Sequence, residues 1–198
     1  KEIKAANVLN NSQASGYNGG DGVVMLSASH PTQNGTQSNV LGTAADLSET
    51  SLESILINIS DMKDDRGLRI AAQGMQLVIP TAYQFTAERL LESALRPSTA
   101  DNDINAIKAG GYLPKGYHIM RRLTDPDAFF ITTDVPDGLK HFTRSAMKKG
   151  MEGDFETGNV RYKVRERLYL FIINAVFSNI SHNISIKITP YNREILFL

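Results

Sequence analysis

The sequence predicts an α+β fold in which helices pack on a sheet, and two patterns near the middle of the chain support this. Apolar residues recur at the three- and four-residue spacing of one helix face: Leu52, Ile55, Leu56, Ile59 and Met62. The apolar run Met75–Ile79 is typical of a buried strand, and Pro80 closes it before a second helical pattern begins. Helix, strand and helix in succession indicate α and β layers that share one core.

The first 44 residues are predicted to be mostly loop. Residues 1–10 have the pattern of the last turns of a helix. Asn11–Gly22 is rich in Gly and Asn, which supply the positive-φ positions of tight turns, and a short strand is expected at Val23–Leu26. A second polar loop spans His30–Thr43.

The two central helices have recognisable ends. Thr50 followed by Glu53 is a candidate capping box at the start of the first helix, and Gly67 is a stop signal beyond its end. The second helix is expected from about Thr81 to Leu95, since Pro97 cannot continue it.

The remaining elements are short until the last strand. A helical turn is expected at Ile104–Ala109, and strands at Tyr117–Met120, Ala128–Thr133 and Leu139–Ala146. Asn159–Arg167 alternates between apolar and basic residues, as a half-exposed strand does. Its apolar side holds Val160, Tyr162 and Val164, and its basic side holds Arg161, Lys163, Arg165 and Arg167.

Composition excludes several classes of protein. The 198 residues include 21 Lys+Arg and 21 Asp+Glu, and this zero net charge argues against a protein that binds nucleic acid with its whole surface. The absence of Cys excludes disulfides, thiolate metal sites and cysteine nucleophiles. No apolar run reaches the roughly 18 residues that a membrane span needs, so no membrane association is expected. Because the chain opens on Lys1 and not on Met, we expect a fragment or a processed product.

No sequence motif indicates an enzyme, a metal site or a cofactor site. The four His residues are not at metal-ligand spacing, and the Gly-rich loop before Val23 lacks the Gly-Lys pair of a phosphate-binding loop. A calcium-loop pattern that opens at Asp101 has Ala106 where Gly is required and Tyr112 where Glu is required. Asp125 and Asp127 are spaced so that a hydrolase could use them as acid and base, but Asp-Pro-Asp before a strand is more typical of a turn. We therefore predict no catalytic, cofactor or metal site and keep the hydrolase as a lesser alternative.

Charge is distributed unevenly along the chain. Acidic residues dominate between 40 and 65, and basic residues dominate between 140 and 167. Two solvated faces would explain this, and so would complementary patches that meet between copies of the chain. The candidate acidic patch is Glu49, Glu53, Asp61, Asp64 and Asp65, and the candidate basic patch is Arg161, Lys163, Arg165 and Arg167. A DNA-facing role for the basic patch ranks below pairing between subunits.

Several stretches, in the same order along the chain, resemble the major head (capsid) proteins of tailed bacteriophages, which have the Hong Kong 97-type fold. They extend from about residue 7 to 167: Asn7–Asn10, Gly19–Gly22, His30-Pro31, Thr36–Asn39, Asp64–Gly67, Leu77–Pro80, Gln84–Leu90, Asn102–Asn105, Leu123–Asp127, Asp137–Phe142 and Gly153–Tyr162. The ordered set is more specific than any one of its members.

The resemblance implies a non-enzymatic shell subunit. It would form pentamers and hexamers of an icosahedral capsid, assembled in the cytoplasm of a bacterial host around double-stranded DNA without sequence specificity. By this analogy residues 1–44 hold the end of a spine helix and peripheral-domain loops, and 45–145 form the axial domain. Residues 146–170 would return to the peripheral domain, and 171–198 form an atypical tail. The family's N-terminal arm and extended loop would lie upstream of Lys1.

Two further questions stay open at this point. An encapsulin-like nanocompartment, whose shell holds cargo protein in place of DNA, has the same fold and is the principal alternative. From Leu168 the chain has no Gly or Asp and holds 7 Ile in 31 residues. This tail is interpreted either as a strand pair or extension that docks on the body, or as the product of a shifted reading frame or local fusion.

Overall fold

A computed structural model describes residues 2–95, 103–135, 139–153, 160–172 and 195–197. The chain divides into two compact units. Within the described residues, the first unit consists of 2–95, 103–135 and Ile172, and the second consists of 139–153, 160–171 and 195–197. Most of the tail predicted to be atypical lies outside the described residues.

A three-stranded sheet organises the first unit. Its central strand, β3 (Gly74–Ile79), is followed in sequence by β4 (Tyr117–Ile119) and β5 (Phe130–Thr133) on either side of it. The β4 strand runs parallel to β3 and β5 runs antiparallel. Since β3 is flanked by strands and covered on both faces, the apolar run Leu77–Ile79 at its end is explained.

Helices cover both faces of this sheet. Leu77 and Ile79 of β3 join a cluster with α2 (Glu49–Ser60), α3 (Gln84–Glu92) and α4 (Ala106–Ala109). Val78 points the other way and packs with Ala6 of α1 (Glu2–Asn10) and with Met120. The alternation of side chains along a strand therefore places α1 on one face and the other three helices on the opposite face.

The α2 helix lies close against the central strand. Leu52, Leu56 and Ile59 form its buried side, as the helical spacing predicts. A Cβ on Gly74 would lie 2.9 Å from Leu56 Cδ2, so the absent side chain lets α2 approach the start of β3.

The loops before α2 are fixed by polar contacts. A hairpin of β1 (His30–Thr32) and β2 (Gly35–Gln37) places the fully buried His30 with its Nδ1 2.6 Å from Asp21 Oδ2. Within the described residues, His30 Nε2 is buried without a hydrogen-bond partner. The Gly-rich loop is thereby attached to the hairpin through one ionisable pair.

Asn105 joins α3 to α4. Its Nδ2 donates to the carbonyls of Leu90 and Ser93, and its Oδ1 accepts from the N–H groups of Ile107 and Lys108. One side chain, 2% exposed, thus binds the end of one helix and caps the start of the next.

The second unit is a sheet of long strands. β6 (Leu139–Gly153) and β7 (Val160–Ile172) pair to form what we call the ribbon, and β8 (Ile195–Phe197) pairs antiparallel with the far edge of β7. Tyr162 lies opposite Phe197 in this pairing.

Most sequence-predicted elements are confirmed, and four details are wrong. The segment His30–Thr43, predicted to be a polar loop, contains the β1–β2 hairpin. Val23–Leu26 is not a strand, because only Val24 forms an isolated bridge, to Asn18. The capping box of α2 is formed by Ser48 and Ser51, two residues before the predicted pair. The helix predicted from Thr81 begins as a 3₁₀ turn, Thr81–Tyr83, and its α-helical part ends at Glu92.

Candidate assembly surfaces

The five acidic residues predicted to form a patch occupy two places. Glu49 and Glu53 lie in the first half of α2, whereas Asp61 caps its C-terminal end. A helix of 12 residues is about 18 Å long. The two groups are therefore separated by most of the length of the helix and do not form one compact cluster.

At the C-terminal end of α2, the carboxylates are used within the chain. Asp64 Oδ1 accepts hydrogen bonds from the N–H groups of Arg66 and Leu68, at 2.9 and 2.8 Å. Asp65 Oδ1 accepts from Gln33 N–H at 2.8 Å, which fixes the β1–β2 hairpin to this turn. Because charge-assisted bonds of this kind stabilise a turn, both residues have a structural role regardless of any partner.

Asp61 also has a partner inside the chain. Arg69 Nη1 lies 3.1 Å from Asp61 Oδ1, and both side chains are exposed. An exposed pair of this kind contributes little to stability and remains open to exchange with an outside charge. Charge compensation by Arg66 and Arg69 weakens the acidic character that the sequence segment indicates.

The middle of α2 presents an apolar side chain to solvent. Ile57 is 61% exposed, and Glu53, one turn earlier, is exposed as well. Glu53, Ile57 and Asp61 are each four residues apart, so they lie along one line on the outer surface of the helix. We call these three residues the α2 stripe.

Asp125 and Asp127 form an exposed turn. Asp125 Oδ1 accepts a hydrogen bond from the Asp127 N–H at 3.0 Å, which is the geometry of an Asx turn. The structure thus matches the turn interpretation of Asp-Pro-Asp, and the hydrolase alternative gains no geometric support from this contact.

The same two carboxylates act on Tyr83. Burial is the principal cause that raises the pKa of Tyr83 above its ordinary value, and the negative charges of Asp46, Asp127 and Asp125 add to it. A hydrogen bond from the Leu47 backbone acts in the opposite direction. These charge effects on the pKa of Tyr83 come from residues that are far apart in sequence, and no sequence signal indicated them.

The alternating strand predicted at 159–167 is confirmed in β7. Lys163 and Arg165 are exposed, and Arg167 is half-buried, with its Nε lacking a hydrogen-bond partner within the described residues. The side chain of Arg161 lies outside the described residues. On the opposite face Val160, Tyr162 and Val164 are 48%, 57% and 43% exposed.

Both strands of the ribbon therefore leave apolar side chains in contact with solvent. In β6, Met147 and Met151 share one face and are exposed too. Exposed apolar side chains that are grouped on one face of a strand are typical of interaction surfaces.

Other kinds of site are not evident in the part of the chain that the structure describes. No group of three His, Asp or Glu residues there could hold a metal ion. None of the described helices has the length and apolarity to cross a membrane. An open groove of about 330 Å³ beside α2 is lined by uncharged residues, among them Thr43, Ser48, Ser54 and Asn58. These surfaces offer packing and ion pairing, and no evident bond-making chemistry.

Comparison with known proteins agrees with this description. The family model described as phage capsid protein matches residues 1–172, which includes all of the first unit's described residues and the whole ribbon. No curated protein and no solved structure matches the chain. The match ends at Ile172, close to Leu168, where the composition changes. Since the model covers far more than half of its length, this chain belongs to the phage capsid protein family.

Proposed function

We propose that this chain is the major capsid subunit of a tailed phage or prophage, copies of which assemble into an icosahedral shell around double-stranded DNA. The observation that carries the proposal is the capsid family match over residues 1–172. The ordered resemblance from about residue 7 to 167 concerns the same stretch of the chain and agrees with that match, and it points more narrowly to the major capsid proteins of tailed phages.

The proposed fold is of the Hong Kong 97 type. A helix, a central strand and a second helix, expected for an axial domain within 45–145, have counterparts in α2, β3 and α3. The long ribbon is compatible with the elongated sheet of a peripheral domain, to which 146–170 would belong. Under this proposal α1 is the end of a spine helix within the peripheral segment 1–44.

The proposed mechanism is geometric and involves no chemical step. Pentamers and hexamers present the same surfaces around their axes, and buried apolar area with complementary charge selects the correct contacts. The exposed Val160, Tyr162 and Val164 give the ribbon apolar area that a neighbouring subunit can cover. Packaged DNA would be contacted through phosphates alone, hence without sequence specificity. The expected location is the virion, after assembly in the host cytoplasm.

Electron microscopy of the expressed full chain tests this proposal. Shells, or isolated pentamers and hexamers, are the expected result, and the exchange Lys115→Ala, at an exposed site outside α2 and the ribbon, serves as a control that assembles normally. Soluble monomers under all conditions of salt, pH and concentration would refute the capsid role.

The content of purified shells separates the two shell functions. Nuclease-protected double-stranded DNA supports the phage capsid, whereas DNA-free shells that retain a co-expressed protein cargo support the encapsulin-like alternative.

A further inference from the structure

Opposite charges are divided between two parts of the chain. Residues 1–138 contain 16 acidic and 11 basic residues, a net charge of −5. The two ribbon strands contain 8 basic residues and only Glu152 and Glu166 as acids, a net charge of +6. The zero net charge of the whole chain is therefore the sum of an acidic segment, residues 1–138, which we call the body, and a basic ribbon.

The basic face of β7 has a regular spacing. Lys163 and Arg165 are exposed and two residues apart, so their side chains leave the same face about 6.6–6.8 Å from each other. Arg167 continues the row on the same side. A row of this kind suits a partner whose surface repeats at a similar distance.

The α2 stripe has a residue step of similar length. Its residues Glu53, Ile57 and Asp61 follow one another at about 6 Å along the helix axis, so its two acids are about 12 Å apart and the heads of Lys163 and Arg165 must diverge to reach both. An acidic residue therefore stands on either side of an isoleucine that is 61% exposed. Neither Glu53 nor Ile57 belongs to the buried side of α2, so both are available to a partner.

We propose that the basic face of β7 in one copy binds lengthwise along the α2 stripe of a second copy. The Lys and Arg heads reach Glu53 and Asp61, where Asp61 exchanges Arg69 for the incoming cation or shares it. The aliphatic stems of Lys163 and Arg165 cover Ile57. Such a contact is heterologous, because each copy uses a different surface toward each of its two neighbours, as closure of a ring requires. This inference rests on the proposed capsid function and names the surfaces that would meet.

A second copy fits the basic face better than DNA does. DNA offers phosphates to the charged ends of the Lys and Arg side chains. Unlike the α2 stripe, its backbone offers no apolar side chain between its charges for the aliphatic parts of Lys163 and Arg165 to cover. The net charge of −5 on the body of one copy and +6 on the ribbon of another nearly cancel. Complementary charge of this kind orients two proteins as they associate. The contact is expected to weaken steeply with salt.

Two charge-reversed variants of the full chain test the contact. The ribbon variant is Lys163→Glu/Arg165→Glu, and the stripe variant is Glu53→Lys/Ile57→Lys. Each alone puts like charges on both sides of the contact and is expected to lose association by at least tenfold in sedimentation velocity. Mixed in equal amounts, they present opposite charges again, and co-association at near wild-type affinity is expected.

The control carries the same change of net charge as the ribbon variant at exposed sites elsewhere, Lys115→Glu/Arg121→Glu. It should assemble as the wild type does. Far-UV circular dichroism and thermal melting of every variant show whether folding is retained; a misfolded double variant is replaced by its single exchanges, Arg165→Glu and Glu53→Lys.

The outcomes separate this inference from the function on which it rests. If wild type and both variants assemble equally, the ribbon does not bind the stripe, although the capsid function stands. Ribbon-variant shells of normal shape that have lost only DNA retention would assign the basic face to DNA and overturn the inference. A wild-type chain that never associates contradicts the proposed function itself.

Discussion

Asn105 is expected to be the most costly polar side chain to remove. Substitution to alanine deletes two donors to the carbonyls of Leu90 and Ser93, which lie 2.7 and 3.0 Å from Nδ2. It also deletes the N-terminal cap of α4. A lost cap costs about 1 kcal/mol, and each of the two carbonyls left without its donor, one buried and one partly buried, costs about 1 kcal/mol more. The free energy of unfolding should therefore fall by about 3 kcal/mol.

The isosteric exchange Asn105→Asp isolates the two donor bonds. A carboxylate still accepts from the N–H groups of Ile107 and Lys108, but it faces the two carbonyl oxygens without a proton to donate. We expect a loss at pH 7 at least as large as that for alanine. The loss should decrease as the pH falls, since a protonated carboxyl can donate one of the two bonds.

Urea unfolding followed by far-UV circular dichroism measures both variants. The measurement is made over a tenfold range of protein concentration, so that association is detected as a shift of the midpoint. Asn58→Ala, at an exposed position of α2, is the matched control and should change stability by less than about 0.5 kcal/mol. An Asn105→Ala variant as stable as that control would show that the α3–α4 junction does not depend on this side chain.

Three other outcomes follow from the structure. Leu52→Ala removes a fully buried side chain from the α2–sheet core and should cost about 2–5 kcal/mol in urea unfolding, and a cost below about 1 kcal/mol would contradict the described core. Gly67→Ala should lower the free energy of unfolding by about 1–2 kcal/mol, because φ at Gly67 is 86° and the new Cβ meets the Asn34 side chain. Gly42→Ala, where a Cβ would lie in open space, should leave that free energy unchanged or raise it. Equal effects of the two exchanges would contradict this reasoning. Because burial raises the pKa of Tyr83, folding favours the protonated phenol. The free energy of unfolding should therefore not depend on this group below about pH 10 and should decrease above it. Tyr83→Phe should reduce that decrease, and identical pH profiles of wild type and variant from pH 9 to 11 would refute this assignment.

The spacing of apolar residues in the helical and strand segments was sufficient to predict which residues form the core. Leu52, Leu56 and Ile59 are buried as their spacing predicts, and Met75–Ile79 lies within the central strand. In these segments local pattern and tertiary packing agree, since the same residues must face the core in any compact arrangement.

The ends of helices and the presence of short strands could not be predicted from local sequence patterns alone. Ser48–Ser51 and Thr50–Glu53 are both capping patterns, and the contact of Ser51 Oγ with the Asp46 carbonyl selects the earlier one. Val24 looks like part of a strand, but its neighbours lie in a loop held by the pair of Asp21 and buried His30. Such contacts form between segments that only the fold brings together.

The candidate surfaces were only partly readable from sequence. The alternation in β7 correctly indicated a basic face, because side-chain direction in a strand follows from position alone. The acidic segment was harder to interpret, since the backbone partners of Asp64 and Asp65 and the ion pair of Asp61 arise from folding. Of the five acids proposed for the patch, Glu53 is exposed and lies on the outer surface of α2 within its first half.

The separation of charge between residues 1–138 and the ribbon has a consequence for how the chain behaves on charged supports. Residues 1–138 carry a net charge of −5 and the ribbon strands carry +6, so the zero net charge of the 198 residues describes neither segment. Salt screens each segment's field only beyond a Debye length, which is about 10 Å at 0.1 M. Anion and cation exchangers are therefore both expected to hold the protein at low ionic strength, each through a different segment.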